Sequence, residues 1–534
     1  MTSRREALRA AAAAALLAGC ERPAWMMRPQ WLPTDIERPG RALGHWLRTL
    51  PRDLVADGGT LDTDIVIIGG GIAGLAAAWT LARNGHRRFV HLTGPEPFGN
   101  AAARHWQGVP CPQGAHYLPL PASECGHVRE LLAEMGVLRP GADAARPHYD
   151  ERAIVHAPDE RLLIDGRWHD GLVPPPRDDI ERAQQQRFFA RMEELKRLRG
   201  SDGRRVFALP LALASTDATW RGVDRQTFAQ WLDAEGYTAP RLRWYLDYVC
   251  RDDYGAGAAQ VSAFAGLHYF AARDGEAANA DSHAVLTWPD GLNPLARHMA
   301  AAAADRQHAG LALRVRPLRH GVEVLVGSGP GQRVQLVRAR RAILATPLHV
   351  VRHLLPAGFA PALVPEALPA HSSWLVGNLG LHTFPHETGE VPLAWDNVIY
   401  GSAHLGFVVA THQWLRVAKP EFTVFTTYSA LPFAPGDDTR RWLDAADDAT
   451  LRDMACADLV NAYGDALWRR AAHLHVTVRG HAMAVPLLGY LDTAARLGLD
   501  GDTGPIVFAH SDLSGYSVFE EAAWWGVEAA RRCA

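Results

Sequence analysis

Asp64-Ile65-Val66-Ile67-Ile68 runs without a break into Gly69-Gly70-Gly71-Ile72-Ala73-Gly74, and no other segment restricts the fold of this chain so tightly. The apolar, β-branched run predicts a strand buried on both faces, as in a parallel sheet. After the glycines, Leu75, Ala78, Leu81 and Ala82 recur at helical spacing as far as Asn84-Gly85, and Phe89-Val90-His91-Leu92 reads as the next strand. A strand, a GxGxxG loop and a helix in that order bind a dinucleotide. Gly69 permits the tight turn, Gly71 lets the backbone approach a pyrophosphate, and Gly74 lets the helix lie close on the strand. Gly70 and Ala73 fill the remaining loop positions, and the phosphates take the free N–H groups of the helix N-terminus. An acidic residue is expected about 20 positions after the glycines to hold the ribose. Thr93 stands there, with Glu96 just beyond, so Thr93, Glu96 and the backbone are all candidates.

The other end of the chain repeats the theme. Ile506-Val507-Phe508-Ala509 reads as a short strand, followed by His510-Ser511-Asp512-Leu513-Ser514-Gly515. Ser517-Val518-Phe519-Glu520 then reads as an S-x-x-E capping box opening a helix through Ala523, Val527 and Ala530. Together the two terminal motifs resemble the flavin-containing amine oxidase and phytoene desaturase superfamily, over residues of about 62–534. That resemblance implies an α/β fold: a discontinuous, Rossmann-type FAD-binding domain with an inserted α+β substrate-binding lobe. It places Asp512 against the ribityl–pyrophosphate part of FAD. It also puts the helix N-terminus at Val518 near the flavin pyrimidine ring, where it stabilises negative charge on the reduced ring.

Weaker matches follow the same superfamily. Trp288-Pro289-Asp290-Gly291 resembles its mid-chain turn, and Val315, in a hairpin between Leu311 and Val326, falls where the family's backbone meets adenine. Arg341-Ala342-Ile343-Leu344-Ala345-Thr346-Pro347 is the strand that returns to the FAD domain, with Ala345 and Thr346 at its end. Gly99-Asn100-Ala101 stands where the family has Gly-Gly-Arg, so the arginine contact is either lost or supplied by Arg104. The expected division is a signal at 1–20, a tether at 21–61, an FAD domain at 62–125, 285–349 and 476–534, and a substrate lobe at 126–284 and 350–475.

Charge now narrows the chemistry. Lys+Arg 55 against Asp+Glu 58 leaves a net charge of −3, which gives no footprint for nucleic acid. Of the basic residues, only Lys196 and Lys419 are lysines. In the amine oxidases a strand lysine commonly holds a water near flavin N5. The strand Leu375–Leu381 corresponds to that strand, and its nearest polar residue is Asn378. Lys196 falls on a helix predicted over 180–198 and Lys419 in a loop before Pro420, so the lysine-assisted route lacks its residue. Candidate catalytic groups are therefore His116, His481 and Asn378. Arg251-Asp252-Asp253 is read either as an internal salt bridge or cap, or as a source of cavity carboxylates. No metal is expected: His349-Val350-Val351-Arg352-His353 lacks the Glu of HExxH and a third ligand, and none of the six cysteines forms CxxC.

The amino terminus reads as an address. Arg4-Arg5 precedes an apolar run, Ala10–Ala18, of about nine residues, far short of the roughly 20 that span a bilayer. The paired arginines resemble a twin-arginine export signal, and Leu17-Ala18-Gly19-Cys20 resembles a bacterial lipobox. The implied partners are the export machinery and a membrane reached only through lipidated Cys20, with a periplasmic or membrane-anchored location. The expected activity is FAD-dependent oxidation of an amine by hydride transfer to flavin N5. A carbon–carbon desaturase or isomerase, and a non-catalytic flavin-binding assembly factor, are the alternatives.

Overall fold

The computed structural model describes residues 32–534 apart from 52, 140, 142–143, 357, 360–362, 388, 435–437 and 500–503, so the export signal and Cys20 lie outside the described residues. Its first layer grows from the predicted strand. Thr60–Ile68 pairs in parallel with Phe89–Leu92 on one side and with Gln335–Leu344 on the other. The second half of Gln335–Leu344 also pairs in parallel with Ile506–Phe508, while its first half closes an antiparallel meander with Gly321–Gly327 and Leu311–Leu318. Two distant parts of the chain thus meet on one strand. The sheet is apolar in its middle because helices cover it there: Val66, Ile67, Ala342, Ile343 and Ile506 are fully buried.

The glycine-loop helix, Ile72–Arg83, and the carboxyl-terminal helix, Phe519–Cys533, pack against each other over this sheet. They touch closely because Gly526 has no side chain. A Cβ there would stand 2.1 Å from the Ala73 carbonyl oxygen.

The second layer is an eight-stranded sheet. In spatial order it runs Thr34–Glu37, Ala471–Ala484, His371–Leu381, Thr423–Ala430, Phe407–Val409, Asp396–Ile399, Glu160–Ile164 and Arg167–Asp170. A helical set, Asp179–Lys196, Phe228–Ala234, Pro240–Tyr254 and Ala263–Ala271, builds a separate core around Phe188, Phe228, Leu246 and Phe264. Asp178 caps the first of these helices and a Thr227–Gln230 capping box opens the second.

Three expected boundaries move. The segment 21–61 is more than a tether, since Thr34–Glu37 extends the lobe sheet in parallel beside Ala471–Ala484 and Arg41–Leu47 is helical. Residues 476–484 belong to the lobe sheet because strand Ala471–Ala484 is continuous across the expected break. Helix Gly126–Glu134 buries Val128, Leu131 and Leu132 in one cluster with Leu75 and Trp79 of the glycine-loop helix, so the FAD domain runs past residue 125. In each case tertiary pairing, which carries no local signal, sets the boundary.

Candidate active site

A groove with an empty volume of about 2210 Å³ opens at the carboxyl ends of the parallel strands. Gly69, Gly70, Gly71 and Ala73 form one wall. The predicted glycine roles are visible in the spacing. A Cβ on Gly74 would stand 1.9 Å from the Gly69 carbonyl oxygen, and one on Gly70 would stand 2.2 Å from that of Thr93. Gly69 has φ 128°, a region that side-chain-bearing residues avoid. Gly71 differs: a Cβ there meets nothing within 4 Å and would project into open space.

The groove matches a dinucleotide on further counts. Neither Gly71, before the glycine-loop helix, nor Val518, before the carboxyl-terminal helix, supplies a side-chain cap, so both helix N-termini keep N–H groups for a ligand. The expected Ser517–Glu520 capping box is absent. Ser517 Oγ instead accepts from the Ala484 N–H at 2.8 Å. Thr346 Oγ1 and His349 Nδ1, both on groove residues, are buried without a hydrogen-bond partner. Arg38, Arg41, Arg48, Arg440 and Arg479 line the same space, a cationic set suited to a pyrophosphate. The first three come from the segment read as a tether, and their scattered spacing gave no motif to find.

Most predicted cofactor residues reach the groove: Thr93, Gly99, Asn100, Ala345, Thr346 and Val518 line it, as do Glu96, the alternative ribose candidate, and His481, a candidate catalytic group. Gly74 packs beneath the loop instead of lining the groove, and Val315, Arg104 and Asp512 also stay outside it. Val315 is fully buried inside the meander, and the groove ends at Gly310, Leu311 and Ala312 instead. Arg104 is held by Glu37 at 2.5 Å; the arginine at Gly99 is Arg479, whose guanidinium donates to the Gly99 carbonyl at 3.2 Å and to that of Gln113 at 3.1 Å. Asp512 is fully buried and already engaged, accepting from the Leu348 N–H at 2.8 Å and from His371 Nε2 at 2.9 Å. Burial alone would raise its carboxyl, but the His371 and His510 imidazoles hold it well below the usual range. Asp512 therefore ties the lobe strand His371–Leu381 to the FAD domain. Glu96 moves the other way: burial raises it despite Arg479 at 3.5 Å.

Asn100, Ala115, Arg479, Ala482, Ser517 and Val518 also border a second cavity lying toward the lobe. Aromatic rings dominate it: Tyr117, Tyr254, Tyr269, Trp374, Tyr428, Tyr516 and Phe519. His116 stacks on Tyr428 with ring centroids 4.4 Å apart, and burial lowers its imidazole to about 3, so it stays neutral at any physiological pH. His481 lies on the groove side, stacked on His349 at 4.1 Å. Asn378 is not a cavity residue. It is fully buried beneath Pro112, donating to the Pro112 carbonyl and to Thr426 Oγ1 at 3.0 Å each, and Trp374 and Val376 are what its strand shows to the cavity. Neither lysine lines either cavity: Lys196 pairs with Glu193 at 2.7 Å and Lys419 lies beside Phe384.

Among the cavity's charged groups, three carboxyls stand against the guanidiniums of Arg273 and Arg479. Asp252 and Asp253 at the end of helix Pro240–Tyr254, and Glu520 in the first turn of the carboxyl-terminal helix, converge on it. Both readings of Arg251-Asp252-Asp253 are met in part: Arg251 forms an internal salt bridge with Asp247 at 3.0 Å, while Asp252 and Asp253 line the cavity. Arg273 binds Asp253 at 2.7 Å and lies over the Tyr269 ring at 3.9 Å. Burial, reinforced by Asp253, raises Asp252 to about 7; burial raises Glu520 to about 7. Glu520 carries no catalytic signal in sequence because its spacing from Ser517 reads as a cap.

Comparison with known proteins fits this geometry. Residues 67–135 match the NAD(P)-binding Rossmann-like domain model. A Mycobacterium tuberculosis protein named as a flavin-containing monoamine oxidase, AofH, is 25% identical over 378 residues, 70% of this chain and 72% of that protein. Putrescine oxidase bound to putrescine superposes with TM-score 0.61 at 17% identity, over 89% of this chain and 99% of that one. The fold is that of the flavin amine oxidases. Cyclohexylamine oxidase from Brevibacterium oxydans shares it at TM-score 0.56 and 18% identity, covering 88% and 98% of the two chains. So does a fatty acid isomerase from P. acnes, at 0.60 and 16% with the same coverage. This fold therefore hosts more than one chemistry.

Proposed function

We propose that the protein is an FAD-dependent oxidoreductase that oxidises a cationic amine. One observation carries the reading: an aromatic cavity beside the dinucleotide groove presents Asp252 and Glu520 with no ion-pair partner among the described residues. Bound in the groove, FAD supplies a two-electron acceptor for a C–H bond next to nitrogen. Gly69–Gly71, Ala73, Thr346, Arg479 and the two helix N-termini would hold it. The protein's part in turnover is electrostatic and steric. Deprotonated Asp252 and Glu520 bind the ammonium, and Asp252 takes up the proton that a substrate nitrogen must lose before oxidation. Arg273 fixes Asp253 so that its charge stays compensated. The tyrosine and tryptophan rings exclude water and offer their faces to the cation.

The absence of lysine from the cavity lining favours a second reading, a carbon–carbon desaturase or isomerase on the same fold. The two separate in one experiment. The flavin-loaded protein is mixed anaerobically with mono- and diamines, and in parallel with unsaturated fatty acids. Loss of the oxidised-flavin absorbance with an amine is expected; no loss with any amine, together with double-bond migration in a fatty acid, would establish the alternative. The export reading of residues 3–20 is part of the proposal. Mass spectrometry of the mature protein should find a diacylglyceryl group on Cys20, and an intact residue 1 would remove that part.

A further inference from the structure

Away from both cavities, the edge strand Thr34–Glu37 pairs with Ala471–Ala484 so that Asp35 lies opposite His475. His473 and His475, two residues apart on one strand, project to the same face as Asp35. One carboxylate oxygen, Asp35 Oδ2, stands 3.0 Å from His473 Nε2 and 3.1 Å from His475 Nδ1. The three ligand atoms all lie within 4.8 Å of one another. Although close to that oxygen, the buried Nδ1 of His475 makes no hydrogen bond.

We propose that Asp35, His473 and His475 form a divalent transition-metal site, with zinc as its natural size and ligand match. Zinc binds imidazole nitrogen and carboxylate oxygen at roughly 2.0–2.2 Å. Two such ligands on one ion, at tetrahedral or somewhat narrower angles, stand about 3.0–3.4 Å apart, the separation already set between Asp35 and each histidine. A small rotation of the two imidazoles toward each other completes the set. Trp106 fixes their approach, packing edge-on against both rings with centroids 5.1 and 4.9 Å away. Asp35 is exposed, which leaves an entry path and room for water on the ion. The nearby cation, Arg104, is neutralised by Glu37 at 2.5 Å.

The other histidine cluster, His349, His371 and His481, is less suited: His371 spends Nε2 on Asp512 at 2.9 Å and Nδ1 faces the Pro369 carbonyl at 3.1 Å. An ion at Asp35 would clamp the edge strand to the lobe. Because Arg38 and Arg41 follow that strand directly and line the groove, the clamp would also steady one rim of the dinucleotide site.

The site was invisible in sequence because Asp35 and His473 are 438 positions apart. Untagged full-length protein, freed of metal by chelator and loaded with its flavin, is titrated with zinc chloride in competition with a chromogenic chelator. One zinc per chain is expected, with affinity at least tenfold weaker in Asp35→Asn and in His475→Gln and unchanged in His349→Gln. Hydrogen exchange at residues 34–37 should slow when zinc is present. Zinc binding that survives both Asp35→Asn and His475→Gln, or that follows His349 instead, overturns the proposal, as does no binding at all.

Discussion

The dinucleotide groove and the neighbouring cavity share a rim, yet they are built on different principles. Backbone makes the wall of the groove that the sequence motif specifies. That wall is built of glycines close against carbonyl oxygens and the open N-termini of two helices. Side chains make the cavity, carried to one place from segments as distant as Tyr117, Asp252, Tyr428 and Glu520. Backbone geometry depends on local residue type and survives large changes in the surrounding sequence. A side-chain cavity changes its chemistry whenever one segment shifts or one carboxyl loses water. The groove therefore defines what the fold carries, and the cavity defines what is done with it.

The largest expected effect divides the groove itself. Gly74→Leu forces a Cβ onto the Gly69 carbonyl, 1.9 Å away, and should abolish soluble, folded protein. Gly71→Trp, at a position open to space, should keep the circular dichroism of the parent and lose flavin entirely. Stoichiometric FAD in purified Gly71→Trp would break the distinction between a structural and a ligand-facing glycine.

Next comes the cavity. Asp252→Asn and Glu520→Gln should each retain FAD while kcat/KM for the amine falls by about 10²-fold, the scale of removing one partner from a buried charged pair. Equal loss of flavin in these variants would mean that the two regions are not separable.

The pH profile sharpens the same contrast. Asp252 and Glu520 are both raised to about 7, so they bind a cation only as pH rises past that value. The parent's kcat/KM should climb through about pH 7, and Asp252→Asn should flatten much of that limb. A stability effect accompanies it. A carboxyl raised on folding favours the folded state while it stays protonated, and that contribution is lost as pH rises through the folded value near 7. Glu520→Gln should therefore raise the melting temperature at pH 8 and leave it nearly unchanged at pH 4, measured by calorimetry in the absence of amine.

His116 should matter least. Its imidazole is lowered to about 3 by burial, so His116→Phe, which keeps a ring against Tyr428, should lower kcat/KM by no more than about tenfold without moving the pH limb.

Legibility in the sequence followed this same division. The strand Asp64–Ile68, the glycine loop and the closing strand at Ile506 could be read directly, because each is a contiguous pattern whose period and residue types dictate backbone shape. Ser517-x-x-Glu520 shows where such reading fails. The pattern satisfies a capping box, but Ser517 is drawn to the Ala484 N–H of a neighbouring strand and Glu520 is left facing the cavity. Asn378 fails similarly: alternation puts it on the same face as Trp374 and Val376, but only packing shows that Pro112 covers it. The arginine at Gly99 comes from position 479, which no spacing rule connects to it.

By itself, then, the sequence determined a Rossmann-type layer interrupted by a lobe, the backbone cradle for a dinucleotide, and a chain with only two lysines. Tertiary structure alone decided that Glu520 faces the cavity and Asn378 does not, and that the amino-terminal segment completes both the lobe sheet and one rim of the groove. The physical reason is range. Turns, helix starts and strand periods are set within a few residues, whereas the charge state and reach of a side chain are set by the segments packed around it.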